Sequence, residues 1–130
     1  MSGPARAGAL LYALNLPEVS AFYREVLGMQ LLHGAPTHHV IENADLQLVL
    51  HAIPSAIAAG IQLSTPPEPR EEAALKFFFT VPSFAAAEEA ILRLGGGKVP
   101  GEWPGPGFRI RHFFDPEGNI FQLREQETTP

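Results

Sequence analysis

The same pattern is written twice in this chain. An apolar run at residues 8–14 leads into Asn-Leu-Pro-Glu, where Asn15 can cap a helix, Pro17 falls in its first turn and Glu18 completes a capping box. Val19, Phe22, Tyr23, Val26 and Leu27 then recur at i, i+3, i+4, i+7 and i+8. That is one apolar helical stripe, and Gly28 ends it. In the second half a phenylalanine-rich strand at 75–81 precedes Ser83 as a cap, a stripe of Phe84, Ala87, Ile91 and Leu94, and Gly95 as the stop. Aligning Leu27-Gly28 on Leu94-Gly95 offsets the copies by about half the chain, the mark of a duplicated module.

Short strand candidates follow each helix. In the first half they lie at 29–33, 38–43 and 46–53; in the second they lie at 98–99, 108–114 and 119–124. Each half therefore reads strand–helix–strand–strand–strand, an α+β chain of two βαβββ modules. The first module spans 8–54 and the second 74–126, joined by a proline-rich linker at 64–72. Asp115-Pro116-Glu117-Gly118-Asn119 is a turn between the last two strands. Alternation assigns the faces. Leu46, Leu48 and Leu50 are expected under the first helix, with Gln47, Val49 and His51 opposite. Phe121 and Leu123 likewise go under the second helix, leaving Ile120, Gln122 and Arg124 on the other side. The polar faces of both halves suggest curved mixed sheets around a shared cleft.

With 130 residues the chain suffices for one domain, 1–130, and a net charge of -5 gives no reason to expect a nucleic-acid partner. Cysteine is absent, which removes disulfides, thiolate nucleophiles and cysteine zinc sites together. No apolar run approaches the length of a membrane span, and the N-terminal one is too short for a signal peptide, so cytoplasmic is the default expectation with no membrane partner.

The stretch Leu16-Pro17-Glu18-Val19-Ser20-Ala21-Phe22-Tyr23-Arg24-Glu25-Val26-Leu27-Gly28 resembles the first-helix signature of the vicinal oxygen chelate superfamily. That group contains glyoxalase I, bleomycin-resistance proteins, fosfomycin-resistance enzymes and extradiol dioxygenases. Residues 115–119 followed by Ile120-Phe121-Gln122-Leu123 resemble its final hairpin, so the likeness spans nearly the whole chain in the expected order. It implies the glyoxalase/bleomycin-resistance fold, a homodimer, and a divalent metal held by ligands from four strands. The matching positions here are Gly8, Val49, Lys76 and Gln122. Two offer no donor, one puts a cation where the metal charge belongs, and Gln122 alone could coordinate. Shifting each strand by one residue brings in no better donor. The family-type metal site is therefore expected to be lost, with no cofactor in its place.

The resemblance and the strand parities together nominate Tyr12, Gln47, His51, Lys76, Trp103, Gln122 and Arg124 as ligand-contacting residues. Tyr12 shares the parity of Gly8 and can stack on a ring, although an ordinary half-buried aromatic is an equal expectation. Lys76 can attract an anion or act as an amine base; the blander expectation is that it snorkels to water. Trp103, placed on a loop before the seventh strand, can cap a ligand or pack on a partner. His38 and His39 are adjacent on a strand and point to opposite faces. Both faces of 108–114 carry apolar groups, so the facing of Arg109, Arg111 and His112 stays open. The leading expectation is metal-independent binding of a small organic molecule, with carboxylate, phosphate or phenolate favoured over a cation. The alternative is a lyase, isomerase or dioxygenase that uses a non-family metal site or acid–base chemistry through Lys76, His51 or Tyr12. A third possibility is an accessory module whose surface around Trp103 matters more than any cavity.

Overall fold

The computed structural model describes residues 5–127 and divides into two compact units, one ending at Gln62 and the next starting at Leu63. In the first unit, β1 (Gly8–Ala13) runs into α1 (Leu16–Val26), and the cap forms as the sequence requires: the Asn15 side chain accepts from the Glu18 backbone N–H at 3.2 Å. Val19, Phe22 and Tyr23 are wholly buried and Val26 and Leu27 nearly so, hence the helix meets the sheet along its apolar stripe. Gly28, with φ +62°, takes the left-handed conformation that closes the helix. The chain returns through β2 (Gln30–Gly34), β3 (His38–Glu42) and β4 (Gln47–Ala52). The sheet order is β1-β4-β3-β2, with β1 parallel to β4 and the other pairs antiparallel. One turn of helix, α2 (Ser55–Ala58), follows.

The second unit repeats this plan. β5 (Phe78–Val81), α3 (Phe84–Arg93), β6 (Gly97–Gly105), β7 (Phe108–Phe114) and β8 (Ile120–Gln126) form a sheet in the order β5-β8-β7-β6, with β5 parallel to β8. Ser83 caps α3 by accepting from the Ala86 N–H, and Gly95 ends it at φ +94°. The chain is thus α+β, with two βαβββ units.

Leu48 and Leu50 are wholly buried on the side of α1, whereas Gln47, Val49 and His51 are half-buried on the other, as alternation requires. Phe113, Phe121 and Leu123 are equally buried beneath α3. Two strands differ from expectation. The strand expected at 75–81 begins only at Phe78, which leaves Lys76 outside it. The strand expected at 98–99 extends to Gly105, so Trp103 lies in β6 and not on a loop. β6 is an edge strand, where Pro100 and Pro104 need not donate to a ladder. No helix among the described residues is long and apolar enough to cross a membrane.

Candidate functional site

Each sheet has one face under its helix and one face free of it, and the nominated residues sort between them by strand register. In the first unit, Tyr12 pairs with His51 across β1 and β4, and His38 pairs with His51 across β3 and β4. Their rings form a row. Tyr12 lies 5.6 Å from His51, His51 6.1 Å from His38, and His38 5.0 Å from His33, so each of the four strands contributes one ring. Nδ1 of His51 lies 2.7 Å from the Ala52 carbonyl oxygen. A carbonyl can only accept, so Nδ1 donates; in the neutral ring that tautomer puts the lone pair on Nε2. Gln47 is on the same face but its amide is engaged, donating to Glu42 at 3.0 Å. His39 is on the opposite face, as expected, against the buried Ser20 hydroxyl at 2.7 Å. Burial first, then the Arg24 charge, holds its pKa below the ordinary value.

In the second unit the register resolves the facing of β7. Arg109 and Arg111 lie over the Phe84 ring at the start of α3, at 5.4 and 4.6 Å, so they belong to the helix side. Both are neutralised there. Arg111 pairs with Glu102 at 2.8 Å and Glu88 at 3.8 Å, while Arg109 pairs with Glu125 and, at 3.6 Å, Glu102. Glu125 also accepts from the Phe84 backbone N–H at 2.7 Å, and that bond above all lowers its pKa. A groove of about 560 Å³ runs along this side between α3 and the two arginines. Its cations already have carboxylate partners, which leaves little charge for a ligand.

The helix-free face holds His112, opposite Gln122 in the ladder, and Trp103, whose ring lies 4.9 Å from His112. Desolvation first, and then the Lys76 ammonium, holds the His112 pKa below its ordinary value, so the ring is neutral near pH 7. Arg124 stands two residues beyond Gln122 on the same face. Its guanidinium lies over the Phe78 ring at 3.6 Å and the Phe108 ring at 4.8 Å, one from each neighbouring strand. The Arg124 Nε is buried and has no hydrogen-bond acceptor among the described residues. Register thus brings Trp103, Gln122 and Arg124 together and adds His112, Phe78 and Phe108, which the sequence reading did not nominate. Alternation within β8 pointed to Arg124, but the pairing that supplies its rings is not written in any single segment. Lys76 precedes β5 and is not placed by the ladder: its ammonium donates to the Ala73 carbonyl at 3.2 Å while staying near enough to His112 to act on it.

The four positions matching the superfamily's metal ligands can now be tested against geometry. A Cβ at Gly8 would lie 2.6 Å from the Gln47 carbonyl oxygen, so that position has no room for a coordinating side chain. Val49 has no donor, Lys76 is tied to Ala73, and Gln122 remains as a single weak donor. No group of three or more His, Asp or Glu side chains among the described residues is arranged to hold a metal ion. The donor set does not fit the group.

A family model described as a glyoxalase-like domain matches residues 10–124. Among solved structures, the genomically encoded fosfomycin resistance protein FosX from Listeria monocytogenes is similar, with 19% identity, a TM-score of 0.66, and coverage of 98% of this chain and 95% of that one. A glyoxalase-related enzyme from Fulvimarina pelagi gives 16% identity and a TM-score of 0.67 over 93% of this chain and 88% of that one. A glyoxalase/bleomycin resistance protein from Albidiferax ferrireducens gives 12% and 0.65 over 93% and 98%. No curated protein sequence matches. The structural likenesses speak for the fold, and the family model covers the chain from β1 to β8: the protein belongs to the glyoxalase-like domain family.

Proposed function

We propose that this glyoxalase-like domain binds a small organic molecule and does so without the metal around which its superfamily is built. The observation that carries the reading is the donor set: Gly8 sterically closed by Gln47, Val49 inert, Lys76 bonded to Ala73, and Gln122 alone. A divalent ion held by one neutral amide would not compete with its own hydration. In place of ligands, the helix-free faces offer aromatic and hydrogen-bonding groups: Tyr12 and His51 in the first unit, Trp103, Gln122 and Arg124 in the second. That mixture suits an organic ligand. The test is elemental analysis of untagged protein, followed by thermal melts with EDTA and with added nickel, zinc, iron or manganese. The expected result is no stoichiometric metal and an unchanged melting temperature throughout, with stabilisation appearing only in a screen of organic compounds. One tightly held ion per chain would overturn the reading.

The family resemblance also supports a homodimer. Leu10 and Leu32 are exposed on the edge strands β1 and β2, apolar surface of the kind that association covers. Light scattering on the eluting protein should give twice the chain mass.

A second reading, a metal-free lyase or isomerase, has one specific observation behind it. The Nδ1–H to carbonyl bond of His51 leaves Nε2 as a base beside Tyr12, in the tautomer that general-base catalysis needs. Should a screened compound be turned over, His51→Ala is expected to abolish turnover while binding persists. Undiminished turnover in that variant would remove His51 as the base.

A further inference from the structure

From the environment of Arg124 we infer that the helix-free face of the second sheet recognises the carboxylate group of a small organic acid. This deepens the small-molecule reading and rests on it. The first ground is a contrast between cations in one sheet. Arg109 and Arg111 have carboxylate partners, and Lys98 pairs with Glu88 at 3.3 Å. Arg124 has none among the described residues: its contacts are the two phenylalanine rings. The second ground is the Nε atom, buried with no acceptor among the described residues. Buried guanidinium donors left without an acceptor are costly, and structures supply one unless a ligand does.

Geometry then narrows the ligand. Rings from β5 and β7 flank the guanidinium, so the directions left for hydrogen bonding lie along its planar edge. An edge with two parallel N–H donors matches the two coplanar oxygens of a carboxylate. The ligand's body has a surface to rest on. Phe78 is 52% exposed and Trp103 44% exposed, one at either margin of the sheet, with Ile110 beside Arg124 in the ladder between them. Gln122 provides an amide on the same face for a second polar group of the ligand. His112, uncharged near pH 7, adds a hydrogen-bonding ring without adding net charge. Arg124 is the cation on this face without a carboxylate partner among the described residues. The Lys76 ammonium and the Glu71 carboxylate, both near enough to act on His112, offset each other. That balance matches a monoanion with an apolar portion, in a chain whose net charge of -5 would otherwise repel anions.

The experiment uses full-length protein and benzoate, benzamide and phenylphosphonate as probes, at constant ionic strength, followed by thermal melts and calorimetry. Benzoate is expected to raise the melting temperature with concentration, and benzamide, its neutral isostere, is not. Arg124→Gln should abolish the benzoate shift. Arg124→Lys keeps charge and much of the packing but loses the fork, so benzoate affinity should fall about tenfold or more. Circular dichroism of both variants establishes that they fold; if R124Q does not, R124K carries the comparison. Equal benzoate shifts in wild type and R124K would overturn the inference, as would phenylphosphonate binding more tightly than benzoate. If benzamide stabilises every variant alike and benzoate does no better, small-molecule binding survives and the carboxylate assignment falls. If neither these probes nor any compound in the wider screen binds, both fall.

Discussion

Asp115 shows how much one side chain can organise. It is wholly buried, and its Oδ1 accepts from the backbone N–H groups of Glu117 and Asn119 at 2.8 and 3.1 Å, while Oδ2 accepts from the Asn119 amide at 2.9 Å. These bonds shape the turn that sets β8 in register against β7, and so place Gln122 and Arg124. Asp115→Ala is expected to destabilise the protein by roughly 2–4 kcal/mol, measurable by urea denaturation, because buried backbone donors lose a charged acceptor. A loss below about 0.5 kcal/mol, the range of an ordinary surface substitution, would show that the turn holds without it. The Asp-Pro-x-Gly pattern made this turn legible, since each residue type there answers a local backbone need. Residue roles that depend on a neighbouring strand were not legible. Nothing near Arg124 in sequence names Phe78 or Phe108, and the apolar run at 75–81 carries no sign that pairing begins only at Phe78, beyond Lys76.

At the scale of elements, α1 and α3 were readable because three independent signals coincide in each: a capping side chain, an apolar stripe and a terminal glycine at positive φ. Asn15→Ala and Ser83→Ala should each cost about 1 kcal/mol, since each removes the acceptor for one N-terminal N–H. Chemical denaturation of the two variants checks this, and a cost confined to one helix would mean the other N-terminus finds a substitute acceptor. β6 was not readable. Gly101, Pro104 and Gly105 have the composition of a loop, and only its place at the sheet margin, where one side of the strand is unpaired, lets that composition extend. The single turn α2 has no side-chain cap bond and no buried residue, which removes the signals that mark a helix in sequence.

At the scale of the molecule, the duplication was the most legible feature, since it is a repetition of pattern, whereas how a ligand is held depends on pairings between segments distant in sequence. Stability should depend on pH in a determinate direction. His39 and His112 have folded pKa values below the ordinary 6.5, so the unfolded chain binds protons more readily. Their contribution is present above pH 6.5 and is lost as the pH falls from there toward the folded values. Glu125, whose pKa is lowered from 4.5, adds a further loss as the pH falls below that figure. The melting temperature is therefore expected to decline from pH 7.5 to pH 5 and more steeply below, and less over the first interval in His112→Gln. A profile flat between pH 7.5 and 5 would contradict the burial of both imidazoles. The contact between Trp103 and His112 has a further consequence. Trp103 is the only tryptophan in the chain, so indole fluorescence originates at one place, the helix-free face of the second sheet. An imidazolium quenches indole where a neutral imidazole does so far less, and the emission will titrate with His112. The protein carries its own optical reporter beside Arg124, sensitive to acid and to any ligand that covers the ring, with no label required.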